Sequence, residues 1–481
     1  MKLEALVVLS ALLVGANAHG NHHKIARNLG ARDGSSSSTL SSTATSSAGS
    51  SAASSGASSS GSAPPTSASG SGAAPTVTTI PIPSNLPSPP PGIPPLQSIS
   101  SGMPTGTTAM VPATFTAGAT PSFAGAPPLP TPFIFVQGQW PTMDVPPPTN
   151  STQVQEWMKE LEGVDIPDLQ PTQDGDCSLD PAFAADAKNR GWWTCGGWTA
   201  PTDIVACPDK MTWGVSFDDG PSQYTQTLLN YLDEKDLQAT FFVVGSRVIE
   251  RPAVLIEEYM KGHEISVHTW SHHPLTSLTN EQIVAELGWT REAIKRVLGV
   301  TPTTMRPPYG DIDNRVRAIS LAMGLTPIIW TATPSGQKFD TNDWRVAGGQ
   351  MNAIQQFESF EQILGNATII NTGFIVLEHD LFEITVDLAV GFTLNAAMTH
   401  NPPFTLKPIG QCMNIPTTDM YMETTTNQTY KAQRAAALAH ENQTAASSNP
   451  SGASTANSAS PATFSLFTAA GALAAGFAML F

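Results

Sequence analysis

The chain has 481 residues, with 39 acidic and 23 basic side chains and a formal net charge of −16. Only Glu4, Asp33 and Asp144 of the acids precede residue 151, so the acidic excess falls on residues 151–481. That balance excludes nucleic acid as a first-choice partner, because phosphate recognition needs a basic footprint.

Met1-Lys2, the apolar run Ala5–Val14 and Ala16-Asn17-Ala18 read as a secretory signal peptide over residues 1–18, the run being too short to span a bilayer. Gly34 to Met143 holds no charged side chain; Ser, Thr, Ala and Gly dominate first, then proline. Residues 19–132 are therefore expected to form a disordered, O-glycosylated Ser/Thr/Pro-rich stalk rather than a core. Residues 133–200 read as an extension wrapped on the folded part, with Trp157, Trp192, Trp193 and Trp198 as packing residues rather than a sugar platform.

From residue 201 strand-like and helical patterns alternate. Strands are expected at Thr212–Phe217, Ala239–Val244, Glu264–Val267, Thr303–Met305, Pro327–Thr331, Gly373–Leu377 and Phe404–Leu406. Helices are expected at Tyr224–Asp236, Val248–Lys261, Thr279–Leu298, Asp313–Met323, Trp344–Leu364 and Thr385–Met398. Thr279-Asn280-Glu281-Gln282 is a capping box and Gly299 a C-terminal stop. Strand-then-helix repetition demands parallel pairing with right-handed crossovers. The expected fold class is α/β: a distorted (β/α) barrel of about seven parallel strands preceded by the stalk, or else an open doubly wound sheet.

Beyond the folded part, residues 413–450 read as a linker. Small residues near Ser451, a polar spacer and the apolar tail Phe464–Phe481, with no basic residue after it, read as a glycosylphosphatidylinositol (GPI) attachment signal over 451–481. Asn150, Asn366, Asn427 and Asn442 each open an N-glycosylation sequon. In an oxidising compartment the four cysteines, Cys177, Cys195, Cys207 and Cys412, suggest disulfides, with the pairing left open by the spacing alone.

The polar residues gather at strand ends. Asp218-Asp219 follow the first strand, His268 the third, Arg306 the fourth and His379-Asp380 the sixth. In a β/α barrel these all lie on the C-terminal face, where active sites are built. Asp-Gly-Pro alone is commonly a turn, and His268 with His272 alone a structural pair. Together, one carboxylate and two imidazoles make an open metal site, with the second aspartate left as a base for hydrolysis.

At this point the chain resembles the polysaccharide deacetylases of carbohydrate esterase family 4. The motifs run in order: Ser216-Phe217-Asp218-Asp219-Gly220-Pro221, His268-Thr269-Trp270-Ser271-His272, Arg306-Pro307-Pro308-Tyr309, Asp340-Thr341-Asn342-Asp343-Trp344 and Val376-Leu377-Glu378-His379. The preceding Trp/Cys-rich block, the stalk and the anchor signal look like the fungal chitin deacetylases of that family. Ser216 stands where threonine is usual, and the hydroxyl is kept.

The resemblance implies a catalytic domain over 201–412 that hydrolyses N-acetyl groups of chitin or chitin oligomers. Asp219, His268 and His272 would hold a divalent metal, Zn2+ first and Co2+ as the alternative. Asp218 would be the general base toward water, paired with Arg306; His379 would be the general acid, oriented and charged by Asp340. The Tyr309 backbone N–H would hold the oxyanion, and Trp344 and Leu377 would wall the acetyl pocket. A Cys207–Cys412 bridge would close the domain's ends, as the resemblance supports, leaving Cys177 with Cys195. Another acetylated polysaccharide as substrate, or an inactive structural wall mannoprotein, are the alternatives. The implied location is secreted: the outer face of the plasma membrane through a GPI lipid, and the cell wall. No obligate protein partner is inferred.

Overall fold

The computed structural model describes residues 88–99, 102, 114–123 and 125–427. The expected signal peptide, the stalk up to residue 87, Asn442 and the expected anchor signal lie outside them.

The strands are β1 (Thr212–Asp218), β2 (Thr240–Val243), β3 (Glu264–Val267), β4 (Thr304–Met305), β5 (Thr326–Pro327), β6 (Phe374–Ile375) and β7 (Thr405–Pro408). They form one seven-stranded sheet in the order β5-β4-β3-β2-β1-β6, with β7 also on β1. Every ladder is parallel, as the alternating pattern requires. β1 is buried at every residue, which is why its sequence reads as a continuous run rather than an alternation.

β1 pairs with β2 through Ser216–Asp218 and with β6 and β7 through its first half. The curled sheet is bridged where β5 and β6 diverge. Ile204 donates to the Pro327 carbonyl, Thr331 N–H to that of Ile375, and Leu377 N–H to that of Phe339. These irregular links absorb the backbone groups of the expected strands Pro327–Thr331 and Gly373–Leu377, leaving only Pro327 of the first and Phe374–Ile375 of the second in a ladder.

Two expected helices are broken for identifiable reasons. Val248–Lys261 is Gly245–Glu250 and Pro252–Met260, because Pro252 has no N–H and drives Arg251 to φ −129°, ψ 54°. Trp344–Leu364 is Asp343–Ala347 and Ala353–Ile369, the second restarted by a capping box of Asn352 and Gln355. The helix Asn280–Leu298 carries the expected Thr279/Gln282 box and ends at Gly299, φ 81°.

The outer segments reach further than composition suggested. Residues 88–99, 114–123 and 125–132, assigned to the stalk, lie on the folded domain. Leu96 and Ile99 are buried with Phe357, Leu388 and Phe392. Leu129 joins the main core, and Phe123 stacks on Tyr421 at 5.8 Å. At the other end Met420 and Tyr421 are fully buried, and the Tyr421 hydroxyl accepts from Ile265 N–H at 3.0 Å. The folded part therefore runs past the expected edge at 412 to at least Thr425.

The extension is fastened by buried charge. Arg317, itself held by both oxygens of Asp203, donates to the Trp198 carbonyl at 2.9 Å and to that of Gly191, while Arg190 reaches Asp313 at 3.2 Å. Asp311 collects Trp192 Nε1, Thr194 Oγ1 and the Thr276 N–H and hydroxyl. Trp192 and Trp193 are core residues and Trp157 meets Trp289 edge-on, but Trp198 is 38% exposed. The disulfides are Cys177–Cys195 and Cys207–Cys412, the pairing the resemblance implied. The second spans 205 residues and ties the entry to β1 to the end of β7.

Candidate active site

The end of β1 is clipped to the segment after β6. Asp218 N–H donates to the Glu378 carbonyl at 2.9 Å, and Asp380 N–H returns to the Asp218 carbonyl at 3.1 Å. Asp380 then grips the next turn: its carboxylate takes Gly220 N–H at 2.9 Å and Thr225 Oγ1 at 2.5 Å. A Cβ on Gly220 would lie 2.3 Å from an Asp380 oxygen, so glycine is what permits this approach. Asp219 itself adopts φ 81°, a left-handed conformation that a non-glycine residue holds only under constraint. Arg247 Nη1 supplies part of that constraint, donating to the Asp219 carbonyl at 2.6 Å.

After β3 the chain turns sharply through Thr269 (φ 66°) and His272 (φ 57°). His272 N–H bonds to Thr269 Oγ1 at 3.1 Å, and Glu286 collects the N–H groups of Trp270 (2.8 Å) and Ser271 (2.9 Å). The loop, not a helix, brings the imidazoles together, with ring centroids 5.0 Å apart. His268 Nδ1 lies 2.7 Å from the Arg306 carbonyl, which can only accept; Nδ1 therefore carries the proton and Nε2 keeps its lone pair. His272 Nδ1 is 3.0 Å from Tyr309 Oη.

Asp219 Oδ1 sits 3.0 Å from His272 Nε2 and 3.4 Å from His268 Nε2. No donor among the described residues is aligned to hydrogen-bond that buried oxygen. One ligand atom from each of Asp219, His268 and His272 lies within 4.8 Å of the others, all three residues buried. An orphaned carboxylate oxygen beside imidazoles oriented through their far nitrogens is the donor set of a catalytic divalent cation. Burial opposes charge on Asp219, yet the charge of His272 and contacts with both histidines hold it well below the usual carboxylate range.

Asp218 Oδ1 pairs with Arg306 Nη1 at 2.6 Å, while its Oδ2 lies 3.9 Å from His268 Nε2. Arg306 is fully buried, its guanidinium 4.0 Å from the centre of the Phe242 ring. One oxygen of Asp218 is thus fixed and the other turned toward His268.

His379 corrects an expectation. Its partner is Asp343, not Asp340: Nδ1 lies 2.7 Å from Asp343 Oδ1, and the His379 N–H donates to Oδ2 at 2.9 Å. Asp340 is occupied locally, its Oδ1 accepting Asn342 N–H at 2.8 Å in an Asx turn and its Oδ2 3.5 Å from Trp344 Nε1. Burial disfavours the imidazolium of His379, but the charge and hydrogen bond of Asp343, then Asp219 and Asp218, push it up to about 10. Burial raises Asp340.

The expected pocket residues are also buried. Tyr309 is 4% exposed, Trp344 7% and Leu377 4%; Tyr309 holds φ 61° in its turn, and Leu377 bridges Asp340. Of the expected glycan acceptors, Asn150 and Asn427 are exposed; Asn366 is half-buried inside a helix, donating to Gln337 at 3.0 Å.

Sequence reasoning set Asp340 ahead of Asp343 as the partner of His379, left Asp380 without a role and missed Glu286 and Arg247. Glu286 had a signal: it interrupts the apolar face formed by Ile283, Leu287 and Ile294. Arg247 had none.

With the geometry in place, comparison with known proteins adds the relationship. The family profile described as polysaccharide deacetylase matches residues 206–328. Chitin deacetylase 1 of Cryptococcus neoformans var. grubii is 53% identical over 341 residues, covering 70% of this chain and 72% of the relative. Chitin deacetylase of Amylomyces rouxii is 35% identical over 272 residues, covering 54% and 63%. The solved chitin deacetylase of Colletotrichum lindemuthianum aligns with TM-score 0.40 and 23% identity, over 47% of this chain and 97% of that one. The chain belongs to the polysaccharide deacetylase family.

Proposed function

We propose that the protein is a chitin deacetylase, a metal-dependent amide hydrolase that converts N-acetylglucosamine units to glucosamine and releases acetate. The observation that carries the reading is the buried Asp219, His268 and His272 cluster with Asp218–Arg306 on one side and His379–Asp343 on the other. Asp219, His268 and His272 would hold a divalent cation, zinc or cobalt, which would supply Lewis acidity toward water and the acetamide carbonyl.

Asp218 accepts the proton of the attacking water, Arg306 holding one of its oxygens so that the other faces the reacting group. The Tyr309 backbone N–H, held in a left-handed turn, stabilises the developing oxyanion. His379, charged and oriented by Asp343, gives its proton to the departing amine. Trp344 and Leu377 wall the acetyl methyl, which binds by burying apolar surface.

Acetate release from chitin oligomers, abolished by a chelator and restored by Zn2+, is the expected result. Release from acetylxylan or peptidoglycan and none from chitin would overturn the substrate assignment, and no release from any of them would overturn the enzymatic one.

The same reading places the protein outside the cell, with residues 1–18 removed, residues 19–87 as a glycosylated stalk and a GPI lipid added near Ser451–Asn457. A phosphatidylinositol-specific phospholipase should release it from membranes. A peptide containing Phe481 on the mature, membrane-bound protein would refute the lipid anchor and leave the deacetylase assignment standing.

A further inference from the structure

A cleft of about 510 Å³ opens between the extension and the helix Asn280–Leu298, lined among others by Trp140, Asn150, Gln153, Trp289, Glu292 and Arg296. That volume falls in the range of roughly 300–1,000 Å³ typical of small-molecule sites. Its aromatic wall is rigid. Trp140 stacks on Trp270 at 6.1 Å with the planes 2° apart, and meets Trp289 edge-on at 5.8 Å; Trp157 closes the cluster against Trp289 at 5.4 Å.

The rim is polar. Gln153 is exposed, and the exposed Arg296 pairs with Glu292 at 2.6 Å. Indole surface ringed by amide, carboxylate and guanidinium suits a sugar, whose ring offers an apolar C–H face to the aromatics and hydroxyl groups to the rim. Asn150, the exposed acceptor of Asn150-Ser151-Thr152, lies on the same rim. A glycan attached to its Nδ2 begins with N-acetylglucosamine, so that sugar starts at the mouth of the cleft. The tether makes its docking intramolecular, and weak intrinsic affinity suffices at a high effective concentration.

We propose that the first N-acetylglucosamine units of an Asn150-linked glycan dock in this cleft and clamp the extension to the helix Asn280–Leu298. The inference rests on the proposal that the protein is secreted. The clamp bears on the active site through one short path: Trp140 stacks on Trp270, and Glu286 of the clamped helix holds Trp270 and Ser271 between the ligands His268 and His272. Docking that occurs only in the folded state raises stability by linkage.

The test uses full-length protein secreted from a glycosylating host. Four samples are compared: the intact glycoprotein, a form trimmed by an endoglycosidase that leaves one N-acetylglucosamine, a fully stripped form, and Asn150→Gln. The trimmed form should keep the Tm and tryptophan emission of the intact protein. Stripping and Asn150→Gln should each lower Tm by about 2–4 °C and shift the emission, the size expected for a modest linkage in a domain of this length.

Asn427→Gln should leave both readings unchanged. Trp140→Ala should erase the difference between glycosylated and stripped protein; if that variant fails to fold, Gln153→Ala with Arg296→Ala, both exposed, should narrow it. Equal Tm for trimmed and stripped protein with Asn150 shown by mass spectrometry to be occupied would overturn the proposal. So would an unmodified Asn150 in secreted protein that still releases acetate, an outcome that leaves the deacetylase reading intact.

Discussion

His379 lies among carboxylates, with Asp343 bonded to both its ring and its backbone and Asp219 and Asp218 contributing at longer range. The general acid sets the alkaline limb of a rate profile, because the limb marks where it loses its proton. Asp343→Asn should therefore move that limb of kcat/KM down by about 1–3 pH units, the size of effect an adjacent opposite charge exerts. Asp340→Asn should leave it in place, since that carboxylate is spent on Asn342 and Trp344. The reverse outcome would return the role to Asp340. Glu378 makes a different prediction. Burial pushes it up to about 8, with Asp343 adding to the effect, so the native state keeps a proton that the unfolded chain releases near pH 4.5. Its contribution is fully present below pH 4.5 and is lost as pH rises through 8. Glu378→Gln should flatten the fall in urea-unfolding stability between pH 5 and 8.5, a change on the order of 2–4 kcal/mol. An unchanged pH dependence would show that Glu378 titrates alike in both states.

At the scale of elements, the site depends on where strands stop and what fixes the turns after them. Asp380 is a positioning residue: it joins the turn carrying Asp219 to the segment carrying His379. Asp380→Ala should weaken metal affinity about 10–100-fold, as loss of a supporting hydrogen-bond partner does. Asp380→Asn should recover part of that, because its amide oxygen can still accept from Gly220. Metal titration of the apoprotein separates this from mere destabilisation, and unchanged affinity in a folded Asp380→Ala variant would remove the role. The strand ends themselves were legible, since Asp218, His268, Arg306 and His379 each lie at or just past the end of a short strand-like run. The partner of His379 was not, because Asp340 and Asp343 are close in sequence and only the Asx turn at Asn342 decides which carboxylate is free. Nor was the break at Arg251, where the apolar period continues across Pro252 and the backbone does not.

For the whole molecule, the alternating pattern marked the parallel sheet, but composition did not show where the folded part begins. Proline-rich, uncharged sequence suits a solvated stalk and equally a strap lying on a surface; what distinguishes residues 88–99, 114–123 and 125–132 is a sparse set of apolar anchors, Leu96, Ile99, Phe123 and Leu129. Leu96, Ile99 and Leu129 are buried and Phe123 is partly buried; each fully buried side chain of this size contributes about 1.5–3 kcal/mol. Deleting residues 1–87 should leave Tm within about 2 °C, whereas deleting 1–132 should lower it by roughly 5 °C or more. Equal Tm values for the two truncations would show that the strap does not stabilise the domain. The C-terminal side behaves likewise, since Tyr421 stacks under Phe123 and bonds to β3.

The central claim is a division of labour between adjacent carboxylates, and metal content measured beside acetate release in Asp218→Asn and Asp219→Asn tests it most directly. Asp218→Asn should keep its metal while turnover on chitin oligomers falls about 10²–10⁴-fold, the usual contribution of a general base. Asp219→Asn should lose metal first, its activity returning in part at high added Zn2+. Metal lost from Asp218→Asn and retained by Asp219→Asn would contradict the account.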